Sequence, residues 1–150
     1  MTTPITAPIS GTVIPLSEVP DPVFAEEIVG PGAAIDPGEA ASLTAVAPVA
    51  GTLSSLKPHA FVVSTADGRG ILVHLGIDTV ELSGAGFELH AEQGAEVAAG
   101  QKLITWDTAP SREAGKSLVA PVIVLEAEAG DLKVTPAAEV AAGDGLIELA

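Results

Sequence analysis

Glycine and proline set the first limit on this fold. Sixteen glycines and twelve prolines are scattered through the 150 residues, and they leave few uninterrupted stretches long enough for a three-turn helix. Between them lie short β-branched runs: Gly11-Thr12-Val13-Ile14, Phe61-Val62-Val63-Ser64, Ile71-Leu72-Val73 and Pro121-Val122-Ile123-Val124-Leu125. Short strands separated by frequent turn residues predict an all-β sandwich or barrel. Two segments read as helical turns, Phe24 to Val29 and Ser111 to Lys116.

The strand runs are echoed within the chain. Ala7-Pro8-Ile9-Ser10-Gly11-Thr12-Val13 returns as Ala47-Pro48-Val49-Ala50-Gly51-Thr52-Leu53, and Glu96-Val97-Ala98-Ala99-Gly100 returns as Glu139-Val140-Ala141-Ala142-Gly143. Each echo places a turn ahead of a strand. Two copies are too few for a solenoid, so they predict quasi-duplicated halves of one closed sheet system. The length suits a single domain over residues 1–150, long enough to bury a core without staples.

Charge and cysteine usage narrow the function. Twenty acidic against six basic side chains give a net charge of −14, which repels phosphate backbones and anionic bilayers and offers no basic stripe for nucleic acid. The same field attracts a basic protein surface. The absence of cysteine removes disulfides and thiolate metal sites and fits a reducing compartment. No basic cluster or long apolar run follows Met1, so neither a secretory signal nor a membrane span is expected, and a soluble, cytoplasmic protein is.

The chemistry concentrates between His59 and His74, two of only three histidines. Asp67-Gly68 in the middle of this stretch is a hairpin signal, because glycine accepts the positive φ such a turn needs. With Asp67 and Gly68 as the two central residues, Ala66 faces Arg69 and Phe61 stands opposite His74. His59, two residues from Phe61, then shares its face, and the imidazoles become diagonal neighbours on backbone positions roughly 7–8 Å apart. A three-residue loop would move the register by one and separate the rings. Beyond His74 the chain leaves the strand through Leu75-Gly76-Ile77-Asp78-Thr79, where glycine lets the backbone approach an anion. There the Gly76 carbonyl is placed to fix one ring nitrogen and free the other, and Asp78 to orient or balance an imidazolium.

Pro58-His59-Ala60-Phe61 followed by Val73-His74-Leu75-Gly76-Ile77-Asp78-Thr79-Val80-Glu81-Leu82 closely resembles the glucose-family enzyme IIA (EIIA type 1) of the bacterial phosphoenolpyruvate-dependent sugar phosphotransferase system. Val19-Pro20-Asp21-Pro22-Val23-Phe24-Ala25, Val29-Gly30-Pro31-Gly32-Ala33-Ala34-Ile35, Gly84-Ala85-Gly86-Phe87 and Ala120-Pro121-Val122 match in order as well, so the likeness spans nearly the whole chain. It implies an antiparallel β-sandwich and a phosphocarrier of sugar transport. Phosphate would pass from the carrier protein HPr to His74 and on to a cysteine of the IIB domain of a glucose, N-acetylglucosamine or β-glucoside permease. His59 matches the residue that stabilises the phosphoryl group in transfer. Asp78 and Asp21 match acids beside the site that meet the partners' cationic groups. Val23, Phe24, Ile28, Phe61 and Leu72 match an apolar docking ring or lie beside it, as Val73 does on the other face. Lys57 stands where many members of that family carry threonine.

His90 and Trp106 match no functional position; the first reads as surface and the second as packing, and Met1 carries no chemistry. No cofactor is required by this resemblance, although zinc held incidentally between His59 and His74 is compatible with the pair. Regulatory targets are left open by the sequence; nucleic acid and membrane insertion are not expected. Two rival readings remain: a zinc enzyme, which lacks a His-x-His or His-Glu-x-x-His pattern and an obvious general base, and a noncatalytic regulatory module or a carrier domain of the biotinyl or lipoyl kind, whose modified lysine is missing from the Asp67-Gly68-Arg69 tip.

Overall fold

The computed structural model describes residues 3–149; Met1, Thr2 and Ala150, and with them the ends of the domain expected over 1–150, lie outside the described residues. In chain order the strands are β1 (Thr3–Thr6), β2 (Gly11–Ile14), β3 (Gly32–Asp36), β4 (Ser42–Val46), β5 (Gly51–Lys57), β6 (Ala60–Ser64), β7 (Gly70–His74), β8 (Phe87–Leu89), β9 (Glu96–Val97), β10 (Lys102–Asp107), β11 (Ala120–Val124), β12 (Leu132–Val134), β13 (Glu139–Val140) and β14 (Gly145–Leu149). Two short helices join them, α1 (Pro22–Ala25) and α2 (Ala109–Glu113), with single 3-10 turns at Leu16–Glu18, Thr79–Leu82 and Ala129–Asp131. Each helix starts two residues before the stretch expected to be helical. Pro22 and Pro110 preset the first turn, and at α1 the Asp21 carboxylate accepts the Val23 N–H at 2.9 Å as a cap.

An eight-stranded sheet, ordered β13-β2-β3-β11-β7-β6-β5-β9, packs against two three-stranded sheets, β1-β14-β12 and β4-β10-β8. Pairing is antiparallel throughout. The main core lies between the layers. Phe61, Val63, Ile71, Val73, Val122 and Val124 of the large sheet meet Ile5, Ala45, Leu103, Ile104, Trp106, Leu146 and Ile147 of the small ones. Trp106 is fully buried here, stacked on Phe87 at 5.7 Å. Because side chains alternate across a strand, the outer face of the large sheet carries a second cluster. Ala34, Ile123 and Leu72 lie there, covered by Leu16, Val19 and Phe24 from the segment between β2 and β3. Strand β11 is apolar and buried at every position because it is covered on both faces. His74, two residues beyond Leu72, falls on this outer face.

The echoed segments occupy equivalent places. Val140 and Glu139 pair with Gly11 and Thr12, as Val97 and Glu96 pair with Gly51 and Thr52. Gly143 N–H donates to the Ala7 carbonyl at 2.9 Å, as Gly100 N–H does to Ala47 at 2.8 Å. The two halves also trade bonds: Thr6 N–H reaches the Pro48 carbonyl and Val46 N–H the Pro8 carbonyl, both at 2.9 Å. The pseudo-two-fold axis runs through the facing pair Val73 and Val122 at the centre of the large sheet. Leu75 N–H bonding to the His59 carbonyl at 2.7 Å is then matched by Val124 N–H bonding to Pro31 at 2.9 Å. His59 and His74 of one half thus correspond to Pro31 and Ile123 of the other.

Candidate phosphoryl-transfer site

The two imidazoles meet, by a route that differs from the one expected. The β6–β7 ladder pairs Ala60 with His74, Phe61 with Val73 and Ser64 with Gly70, one residue away from the expected register. The loop holds three residues, not two: Thr65 N–H donates to the Arg69 carbonyl at 2.8 Å, and Arg69 N–H returns a bond to the Thr65 hydroxyl at 3.0 Å. Ala66, Asp67 and Gly68 lie between them, with Gly68 supplying the positive φ of 89°. The Thr65 side chain selects the longer loop because its hydroxyl also donates to Asp67.

This shift turns Phe61 to the main core, where it is 1% exposed. The expectation that Phe61 shares the histidine face and takes part in a docking ring is therefore corrected. His59 escapes the consequence because it lies outside the ladder. Lys57 pairs with Ala60 across β5 and β6, so Pro58 and His59 are the two central residues of a tight turn, proline fixing φ at the first. A turn residue is not bound by strand alternation. Its ring centroid lies 5.0 Å from that of His74, edge to face at 71°.

His74 Nδ1 lies 2.5 Å from the Gly76 carbonyl oxygen. A carbonyl only accepts, so Nδ1 carries the proton and Nε2 keeps its lone pair. Gly76 is required for that geometry. It holds φ at 82°, and a Cβ there would fall 2.6 Å from Thr79 Cγ2 and 2.9 Å from the Ser117 carbonyl oxygen. Three further bonds hold the loop: Leu75 N–H to His59, Ile77 N–H to the Ser117 carbonyl at 3.0 Å, and the buried Thr79 hydroxyl to the Leu75 carbonyl at 2.7 Å. Thr79 and Ser117 were missed in the sequence, because their roles depend on backbone carbonyls that no motif displays.

Phe24 of α1 covers His74 from above, ring centroids 5.4 Å apart. Burial pushes the His74 imidazole below its ordinary value of 6.5, against the Gly76 carbonyl and the carboxylates of Asp21 and Asp78, which pull it up. Both acids therefore sit within electrostatic reach of the ring. His59 is also held below 6.5, first by burial and then by the positive charges of His74 and Lys57. Asp78 is exposed and takes a left-handed backbone with φ of 60°, a conformation that aspartate accepts more readily than most residues. Leu72 lies on the histidine face, half-buried beside Ile123.

Around this recess Val23 and Ile28 are exposed, Ile28 by 68%, and so is Val80, by 58%. Val80 was not singled out in the sequence; the signal was an apolar residue inside a short polar turn two residues past Asp78. His90 is exposed and bonds the Thr105 hydroxyl at 2.6 Å, with no link to this recess. Among the described residues no group of three or more histidine, aspartate or glutamate side chains is gathered to hold a metal ion. No helix among them is long and apolar enough to cross a membrane.

A half-buried imidazole with one nitrogen proton-fixed and the other open, beside a second imidazole, is the arrangement that nucleophilic phosphoryl transfer needs. A family model described as phosphoenolpyruvate-dependent sugar phosphotransferase system, EIIA 1, matches residues 3–130. The PTS system glucose-specific EIIA component of Bacillus cereus is 41% identical over 129 residues, 85% of this chain and 76% of that protein. The PTS system mannose-specific EIIBCA component of Corynebacterium glutamicum is 43% identical over 136 residues, which are 89% of this chain and 20% of that longer protein. The structure of glucose permease IIA from Mycoplasma capricolum matches with a TM-score of 0.92 at 39% identity, covering 100% of this chain and 97% of that one. With likeness running unbroken through the histidine strands and the helix that covers them, the chain belongs to the EIIA 1 family of the phosphoenolpyruvate-dependent sugar phosphotransferase system and is a component of that system.

Proposed function

We propose that His74 is the phosphorylated nucleophile of a phosphocarrier that takes phosphate from HPr and delivers it to the cysteine of a IIB domain. The observation that carries this reading is the Nδ1–H bond to Gly76 with His59 at 5.0 Å. The Nε2 lone pair attacks phosphorus in line as the donor's P–N bond breaks and the donor imidazole leaves with its electron pair, taking up a proton. In the second step a thiolate attacks the same phosphorus, the Nε2–P bond breaks, and neutral His74 is restored. His59 stabilises the phosphoryl oxygens in flight. Catalysis of this kind rests on positioning and charge, with little other covalent chemistry for the protein to perform.

Val23, Ile28 and Leu72, with the edge of Phe24, form the apolar surface on which both partners dock, and Asp21 and Asp78 meet their cationic groups. Relatives with EIIBCA names, one of them β-glucoside-specific, support a IIB domain as the acceptor. The permease sets the sugar, which never touches this chain, and the reaction belongs in the cytoplasm. This reading requires no cofactor: the two imidazoles offer zinc two nitrogen ligands, short of the four of a structural site and the three of a catalytic one, so zinc there would be incidental.

The test is to mix the protein with phosphoenolpyruvate, enzyme I and HPr and record its intact mass. The wild type gains one acid-labile phosphate and His74→Ala gains none; a wild type without phosphate, or a labelled His74→Ala, overturns the reading. His59→Ala still accepts phosphate but loses transfer to the IIB cysteine by roughly two orders of magnitude or more, the scale of a removed transition-state contact. Equal loss in both steps would show that His59 serves acceptance too.

A further inference from the structure

A phosphoryl group on His74 brings up to two negative charges into a site already flanked by Asp21 and Asp78. The chain as a whole carries −14. Both imidazoles are held below their ordinary value, so neither offers a standing positive charge at neutral pH. A fixed cation is needed, and the register supplies one. Lys57 pairs with Ala60 across β5 and β6, and Ala60 pairs with His74 across β6 and β7. Residues directly opposite one another in a ladder share a face, so Lys57, Ala60 and His74 project together from the outer side of the large sheet. Leu56, Phe61 and Val73, the next rung, all pack on the main core, which confirms the alternation.

Two strand spacings separate the Lys57 and His74 backbones, roughly 10 Å. The side chain between them is a methyl group. Nothing on Ala60 stands in the way of a four-carbon stem leaning toward the imidazole. Lys57 is exposed, and among the described residues it forms no ion pair. Lys116, by contrast, is engaged with Glu81 at 3.0 Å, and Arg112 with the Gly38 and Ala40 carbonyls. The Lys57 charge already reaches His59 in the adjoining turn.

We propose that Lys57 is a phosphoryl-binding residue, whose ammonium group leans across Ala60 to pair with the phosphate oxygens once His74 is phosphorylated. This rests on His74 being the phosphorylated residue. The ammonium neutralises part of the charge that Asp21 and Asp78 would otherwise repel, and it shares with His59 the work of holding the group during transfer. Because Lys57 borders the turn that carries His59, the two contacts close on the phosphate from neighbouring positions.

The experiment follows the phosphorylated protein by phosphorus NMR over a pH series, comparing wild type, Lys57→Met and Lys57→Arg, each first checked for an unchanged melting temperature. In the wild type the ammonium favours the doubly charged phosphate. In Lys57→Met the second phosphate ionisation moves up by about 0.5–1 in pH, the size expected of one screened charge a few ångströms away, and Lys57→Arg restores the wild-type value. Transfer to the IIB cysteine slows about tenfold in Lys57→Met and recovers in Lys57→Arg, while uptake from HPr is less affected. Identical phosphate titrations and transfer rates in wild type and Lys57→Met overturn the role of Lys57 and leave the His74 assignment standing. Absence of phosphate from the wild type overturns both.

Discussion

His74 and His59 give up a proton more readily than free imidazole because burial disfavours their charged forms. The consequence for stability has a definite sign. Between the depressed folded values and 6.5 the unfolded chain binds more protons than the folded one, so stability rises with pH through that window. Above 6.5 the penalty is absent; it grows as the pH falls. Lowering the pH from about 7.5 to about 5.5 therefore lowers the melting temperature of the wild type more than that of a His59→Gln/His74→Gln double variant, as scanning calorimetry of both would record. An equal fall in the two proteins would show that carboxylates alone set the acid response. The same depression favours the neutral His74 ring at neutral pH, the form that the proposed attack on phosphorus requires.

Among the elements, α1 matters most to the site. Four residues long, it has little intrinsic stability and is held by its Asp21 cap and by burial of Phe24 in the outer cluster. That cluster is separate from the main core, so truncating Phe24 loosens the cover without undoing the sandwich. Phe24→Ala is expected to cost about 3 kcal/mol, keep the strand signature in circular dichroism, and move the His74 titration up toward 6.5 as water reaches the ring. NMR titration of the His74 ring protons measures the shift; an unmoved value would assign its burial to other neighbours. The strands themselves were legible in the sequence, since β-branched runs bounded by glycine and proline became β2, β6, β7 and β11. The histidine pairing was legible only in outcome. A hydroxyl on Thr65 decided the loop length against the Asp67-Gly68 signal and sent Phe61 inward, while Pro58 made a second turn that lifted His59 out of the alternation. Side-chain bonds to backbone of this kind leave no periodic trace, which is also why Thr79 and Ser117 went unread. The helices were found but placed late, because the prolines that start them were read as breaks.

At the scale of the molecule, the acidic surface and the duplicated architecture act together. A net charge of −14 attracts a basic partner surface, and if the proposed donor presents one, uptake of phosphate at low protein concentration slows severalfold as salt rises from about 0.05 M to about 0.5 M. Rapid-quench measurement of the second-order rate tests this, and a salt-independent rate would leave the acidity to solubility alone. The echoes in the sequence correctly announced two related halves; which half carries the candidate site was visible only in the histidines, for Pro31 and Ile123 fill the corresponding places in the other. The working half still depends on its twin, because Asp21 and Phe24 come from the twin's side of the chain.

The exchanged main-chain bonds, Thr6 to Pro48 and Val46 to Pro8, tie the completion of each half to the arrival of its sibling. Each half completes its main-chain bonding only against the other, since one closing contact of each comes from across the axis. Loss of order in either half therefore takes a main-chain partner away from the other.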